Sequence, residues 1–282
     1  MRFQPLVKWI GSKRGQSEEI LKYFPENIDT YYEPFCGGCS VAYQLLSSET
    51  HFVNKVVCSD INGDLIDLWK TLQTDSDGIY KQYERMWYEM NKLPNEIAKK
   101  EFYEIIRGKF NKKRSPYLFF FLMRTCTNGI PRYNRFGEFN NTFHLSRCGI
   151  KPSRIKVDID KWVNLIADEN VIFKKCDYNE ILDDAVSGDF VYLDPPCELT
   201  RSSGRYFGRI NHMDLFGKLR MLNEQDVKWA LSWDGNINTP DYVVVPDDCY
   251  DNKVSIKGYN GGYRVTRLKM NDDGCYESLY LN

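Results

Sequence analysis

The chain has 282 residues, 42% of them hydrophobic and 27% charged, with a formal net charge of −1. That length holds one large domain, or one domain with a sizeable insertion, and the composition is ordinary for a soluble globular protein. No apolar run reaches the roughly 18 residues of a membrane span, and near neutrality taken alone argues against nucleic acid as a partner. The first residues, MRFQPLVKWIGSK, carry no apolar signal core, so a cytoplasmic compartment is expected. Nine cysteines without framework spacing read as free thiols in a reducing environment.

Short apolar runs, several of them ending at an acidic residue, recur along the chain. Residues 30–35 (TYYEPF), 55–60 (KVVCSD), 170–177 (NVIFKKCD), 189–194 (DFVYLD) and 228–234 (KWALSWD) are predicted strands. Helices are predicted over 40–46, 65–72 and 213–223. Strands alternating with helices imply a Rossmann-like α/β fold with a doubly wound, mostly parallel sheet. In such sheets ligands bind at the carboxyl ends of the strands.

About 110 residues separate Asp60 from the next predicted strand, too many for one crossover. The pattern therefore predicts a sheet domain of 1–74 plus 151–282 and a mainly helical inserted subdomain over 75–150. Within the insert, 83–106 and 116–125 (PYLFFFLMRT) are predicted helices, and 127–144 a loop or hairpin. Residues 253–282 are expected to form antiparallel strands. Charge is segregated in the same way. Residues 99–156 carry 14 Lys and Arg against three acidic residues, a local net of +11, leaving the remainder at −12. Such a local field attracts phosphates while the molecule as a whole stays near neutral.

Glu33-Pro34-Phe35-Cys36-Gly37-Gly38 closes the first strand with glycines that allow close backbone approach to a ligand. Asp60, 23 residues after Gly37, suits a carboxylate accepting both ribose hydroxyls of an adenosyl group; the longer Gly-x-Gly-x-x-Gly pattern of a dinucleotide site is missing. Cys36 and Cys39 form a Cys-x-x-Cys without a second pair or a His cluster, so no metal is expected. Asp194-Pro195-Pro196-Cys197 follows the apolar run FVYL and should lie at a strand's carboxyl end. The prolines fix a rigid turn. The Asp194 carboxylate and the Pro195 carbonyl can each accept one N–H of an aromatic amine, favouring a pyramidal nitrogen whose lone pair faces a methylsulfonium carbon.

These blocks occur in one order with Lys8-Trp9-Ile10-Gly11-Ser12-Lys13 before them, and Asn128-Gly129-Ile130-Pro131-Arg132-Tyr133-Asn134, Gly137-Glu138-Phe139-Asn140 and Lys228-Trp229-Ala230-Leu231-Ser232 among them. The set resembles the Dam-type, alpha-group DNA adenine N6-methyltransferases of bacteria and phages. The resemblance implies a class I methyltransferase fold with an inserted DNA-recognition subdomain, S-adenosyl-L-methionine as cofactor, and double-stranded DNA as partner; no membrane is expected from the apolar runs, and no obligate protein partner is evident. It implies that Trp9, Lys13, Glu33, Phe35, Gly37, Asp60, Asp177 and Asp194 lie at the cofactor. Asp194, Pro195, Pro196 and Cys197 are the implied catalytic motif, and Asn128, Arg132, Tyr133 and Asn134 the DNA-contacting loop. The family motif ends in Tyr where this chain has Cys197. Since the Tyr stacks on a flipped base, Cys197 leaves three expectations open: adenine N6 methylation, a different base or transferred group, or a silent nucleic-acid-binding homologue.

Overall fold

The computed structural model describes residues 4–145, 148–196, 210–233, 243–257 and 276–282. In chain order the elements are α1 (Ser17–Leu21), β1 (Asn27–Glu33), α2 (Ser40–Leu46), β2 (Phe52–Asp60), α3 (Gly63–Thr74), α4 (Ser76–Asn91), α5 (Glu96–Lys112) and α6 (Pro116–Thr125). They continue with α7 (Pro152–Ile166), β3 (Val171–Lys175), α8 (Tyr178–Leu182), β4 (Phe190–Leu193), α9 (His212–Glu224), β5 (Lys228–Trp233), β6 (Asn252–Lys257) and β7 (Tyr276–Leu281). Two compact units result. A helical unit holds residues 4–12 and Asn62–Glu169, and a sheet unit holds Lys13–Ile61 with the described residues from Asn170 onward.

In the sheet unit the described strands form one sheet in the order β3-β2-β1-β4-β5-β7-β6. The pairs β1–β2, β1–β4, β2–β3 and β4–β5 are parallel, and β7 lies antiparallel to both β5 and β6. This is the doubly wound, mostly parallel sheet read from the alternation of strands and helices. All four residues of β4 are buried, as a central parallel strand covered on both faces requires. Leu215, Phe216, Leu219 and Leu222 of α9 pack with Val191, Leu193, Trp229 and Leu231 in one core cluster. Helix positions four and three apart line one face, so α9 turns its apolar stripe toward the strands.

The helical unit is built around α6, whose Phe119, Phe120 and Phe121 are all fully buried. A helix apolar on every side belongs at a centre, and α6 packs against α3, α4 and α5. The first and last helices of the unit meet through Trp69 and Trp162, ring centroids 4.9 Å apart, and Gln73 Nε2 donates to the Ile166 carbonyl at 2.6 Å. The N-terminal residues are strapped to the same unit. Trp162 Nε1 donates to the Gln4 carbonyl at 3.0 Å, and the half-buried Arg124 donates to those of Pro5 and Leu6 at 3.2 and 3.0 Å.

One expected helix is two. The stretch 83–106 breaks between α4 and α5, because Pro94 has no N–H to continue the ladder and disfavours helix at Leu93. Asn95 then starts α5 by accepting the Ala98 N–H at 2.9 Å. The third strand likewise ends at Lys175, short of Asp177, which opens α8 instead.

Candidate functional site

Parallel strands bring their carboxyl ends to one edge, and the order β3-β2-β1-β4 sets four acidic residues along it. Asp177 stands just beyond β3, Asp60 ends β2, Glu33 ends β1 and Asp194 directly follows β4. The strand order reverses between β1 and β4, which is where such sheets open a ligand crevice.

The turn after β1 is fixed by its own backbone. The Cys36 N–H donates to the Ser59 carbonyl at 2.9 Å and the Cys39 N–H to the Cys36 carbonyl at 2.6 Å. Gly37 takes a left-handed φ of 46°, a conformation that suits a residue without Cβ, and its N–H donates to Asp60 Oδ2 at 3.2 Å. The Phe35 ring is half-buried, 5.2 Å from that of Tyr178. Glu33 is buried, and its Oε2 accepts the Tyr31 hydroxyl at 2.7 Å and the Ala42 N–H at 2.9 Å. Burial pushes its pKa up to about 8, against the pull of those two hydrogen bonds.

Asp194 is anchored by Lys13, whose ammonium lies 2.7 Å from Asp194 Oδ1 and 2.7 Å from Glu277 Oε1. Burial disfavours the Lys13 charge, but the two carboxylates outweigh it and hold the pKa well above its ordinary value. Pro195 is buried and Pro196 half-buried. At the strand before them, the hydroxyls of Tyr192 and Ser232 share a hydrogen bond of 2.8 Å. Asp177 caps α8, accepting the Asn179 N–H at 3.0 Å in a capping box with Glu180. Cys36 and Cys39 are buried thiols; burial drives Cys36 to about 12 and Cys39 well above its usual value, so neither is a ready nucleophile. Among the described residues no group of His, Cys, Asp and Glu can hold a metal ion, and no helix is long and apolar enough to cross a membrane.

In the helical unit, residues 126–143 form the expected hairpin, with bridges at Cys126–Phe143 and Tyr133–Phe139. Asn128 and Gly129 both take positive φ, 64° and 68°. A Cβ on Gly129 would stand 2.9 Å from Lys8 Cδ and 3.2 Å from the Met123 carbonyl. Three asparagines frame the hairpin. Asn111 exchanges two hydrogen bonds with the Phe139 backbone, both 2.9 Å. Asn141 donates to the carbonyls of Thr127 and Ile130 at 2.9 and 2.6 Å. Asn134 accepts the N–H groups of Phe136 and Glu138 at 2.9 and 3.0 Å and donates to the Glu138 side chain at 2.8 Å. The Tyr133 hydroxyl donates to Asp64 Oδ2 at 2.7 Å, where Arg114 also pairs at 3.1 Å. Burial and the Asp64 charge raise the Tyr133 pKa, so this phenol stays protonated.

The structure thus joins Lys13 with Asp194 and Gly37 with Asp60, and it places Trp9 in the helical unit. Of the four loop residues, Tyr133 and Asn134 spend their polar groups inside the helical unit, whereas Arg132 is half-buried and its Nε has no partner among the described residues. Cys197 lies outside the described residues, as do Tyr206 and Phe207. Sequence reasoning missed Glu277, Tyr31, Asp64, Arg114, Asn111 and Asn141. The first comes from β7, a strand inserted between β5 and β6 and more than 260 residues from Lys13 in the chain, and no local pattern announces such a pairing.

A family model described as "D12 class N6 adenine-specific DNA methyltransferase" matches residues 9–226. The chain is 33% identical to the type II methyltransferase M.MjaIII of Methanocaldococcus jannaschii, over the full length of both. It is 26% identical to a DNA adenine methylase of Haemophilus influenzae, covering 96% of this chain and 87% of that protein. A third relative, the type II methyltransferase M.CviBI of Paramecium bursaria Chlorella virus NC1A, is 29% identical over 75% of this chain and 76% of its own.

Proposed function

This chain belongs to the D12 class N6 adenine-specific DNA methyltransferases, and from that premise we propose that it transfers the methyl group of S-adenosylmethionine to the exocyclic N6 of adenine in duplex DNA. The observation that carries the proposal is Asp194, held by Lys13 at 2.7 Å at the sheet's switch point and followed by two prolines.

The donor set fits the cofactor. Asp60 offers a carboxylate to ribose hydroxyls, the half-buried Phe35 offers ring surface to an adenine, and the acidic edge suits a cationic sulfur. The Lys13 ammonium is taken by two carboxylates. Trp9, Lys13, Glu33, Phe35, Gly37, Asp60, Asp177 and Asp194 make up the proposed cofactor site; within it Glu33 braces the turn and Lys13 orients Asp194. The cofactor, when bound, supplies a methyl group on positively charged sulfur.

The chain's own residues then do three things. Asp194 and the Pro195 carbonyl accept the two N–H groups of the target amine and so concentrate the nitrogen lone pair. Lys13 keeps Asp194 in the one orientation that serves this. Asp194 is also the anion beside the nitrogen when it sheds a proton after gaining its methyl group. The 75–150 segment is the proposed target-recognition subdomain, with Asn128, Arg132, Tyr133 and Asn134 in its DNA-contacting hairpin. Arg and Asn suit guanine and adenine edges in a major groove, and the basic stretch 99–156 supplies the attraction to phosphates.

Incubation with duplex DNA and labelled cofactor, followed by nucleoside mass spectrometry, tests the proposal. N6-methyladenine is the expected product, and Asp194→Ala abolishes it without altering the far-UV spectrum. A different product favours the altered-acceptor reading that Cys197 motivates, and full activity in Asp194→Ala removes the proposed mechanism.

A further inference from the structure

The family match ends at residue 226, yet a carboxylate far beyond it stands beside the acceptor site. Strand β7 runs antiparallel to β5, so its beginning lies at the carboxyl edge of the sheet, with Ser278 paired to Trp233. Glu277 is thereby set among the acidic residues of that edge, with Lys13 Nζ at 2.7 Å, the same distance that Lys13 keeps from Asp194. Only 9% of the Lys13 side chain is exposed, so these two carboxylates, rather than water, balance its charge.

One carboxylate is enough to neutralise one ammonium. A lysine paired to Asp194 alone draws that carboxylate's charge toward itself and weakens it as an acceptor of N–H bonds. With Glu277 present, the three groups together carry a net charge of −1. We infer that Glu277 is a positioning residue for methyl transfer, sharing the charge of Lys13 so that Lys13 fixes Asp194 without neutralising it. The inference rests on the reading of Asp194 as the amine acceptor. In the transfer the nitrogen–carbon bond forms as the carbon–sulfur bond breaks. Positive charge passes from sulfur to nitrogen, and the nitrogen then loses a proton. A site with residual negative charge stabilises that nitrogen better than a neutral ion pair does.

Glu277→Gln and Glu277→Asp test this in the full chain, with Glu277→Ala carried in parallel against a folding defect in the amide variant. Glu277→Gln is expected to slow single-turnover methylation about ten- to a hundredfold while donor and DNA dissociation constants change less than about twofold. Its acid limb moves to lower pH, because losing a neighbouring negative charge makes Asp194 easier to ionise. Glu277→Asp keeps the charge and recovers most of the rate. A readout free of turnover is the carbon-13 titration of the Asp194 carboxyl in donor-free protein, which moves in the same direction in Glu277→Gln. Unchanged rate and unchanged Asp194 titration overturn the inference, as do equal losses in the Gln and Asp variants with no change in titration. If the wild-type chain makes no N6-methyladenine, the functional reading fails by itself, and the Asp194 titration still decides the role of Glu277.

Discussion

Replacing Glu33 by Gln should make the donor-free protein more stable at alkaline pH and change it little in acid. The Glu33 pKa rises from 4.5 to about 8 in the fold because burial disfavours its charge. Between those two values the folded protein keeps a proton that the unfolded chain has released. Stability then falls as pH rises, since the unfolded state binds fewer protons. The contribution is fully present below the unfolded value and is lost as pH climbs to the folded one. One proton corresponds to roughly 1 kcal/mol per pH unit, so the window holds on the order of a few kcal/mol, an upper bound because buried sites relax around a charge. The Gln amide has no such titration, and its oxygen can still accept the Tyr31 hydroxyl and the Ala42 N–H that Glu33 Oε2 accepts. Urea melts of both proteins in unit pH steps provide the measurement, and subtracting one curve from the other cancels the remaining titrating groups. A flat difference between about pH 5 and pH 8, or a variant that loses stability at the alkaline end, refutes the reasoning.

Two further substitutions separate framing from contact in the hairpin. Asn141→Ala removes hydrogen bonds to Thr127, Ile130 and Thr142 and deprives two partly buried carbonyls of a donor, so a loss of about 1–3 kcal/mol is expected in denaturant melts. Arg132→Ala, whose Nε holds nothing among the described residues, should change stability by less than about 0.5 kcal/mol yet weaken duplex binding roughly tenfold in fluorescence anisotropy.

The sheet was legible because its signals are local. FVYL reads as a buried strand, and β4 is buried at every residue; the antiparallel pairing of 253–282 likewise appears as β6 and β7. The boundary between α4 and α5 was missed although Pro94 and Asn95 both mark it, because the apolar period on either side suggested one long helix. In the site, Asp60 and Asp194 announced themselves by ending apolar runs. The second carboxylate on Lys13 did not. Glu277 is one of 39 acidic residues, and only the antiparallel insertion of β7 brings it to Lys13. The turn that the Asn134 amide completes was not legible either, because it depends on where the Phe136 and Glu138 N–H groups point.

The closure of the helical unit on itself has an evolutionary consequence. Trp69 against Trp162 and Gln73 on the Ile166 carbonyl bring the first and last helices together through contacts internal to that unit. A segment whose two ends are joined by its own packing asks little of its host where it is entered, after β2, and where it is left, before β3. Its length and content are therefore free to diverge while the strands and their acidic edge stay under constraint. On the proposed assignment of this segment to target recognition, its exchange is a physically inexpensive route by which one transfer chemistry acquires new target sequences.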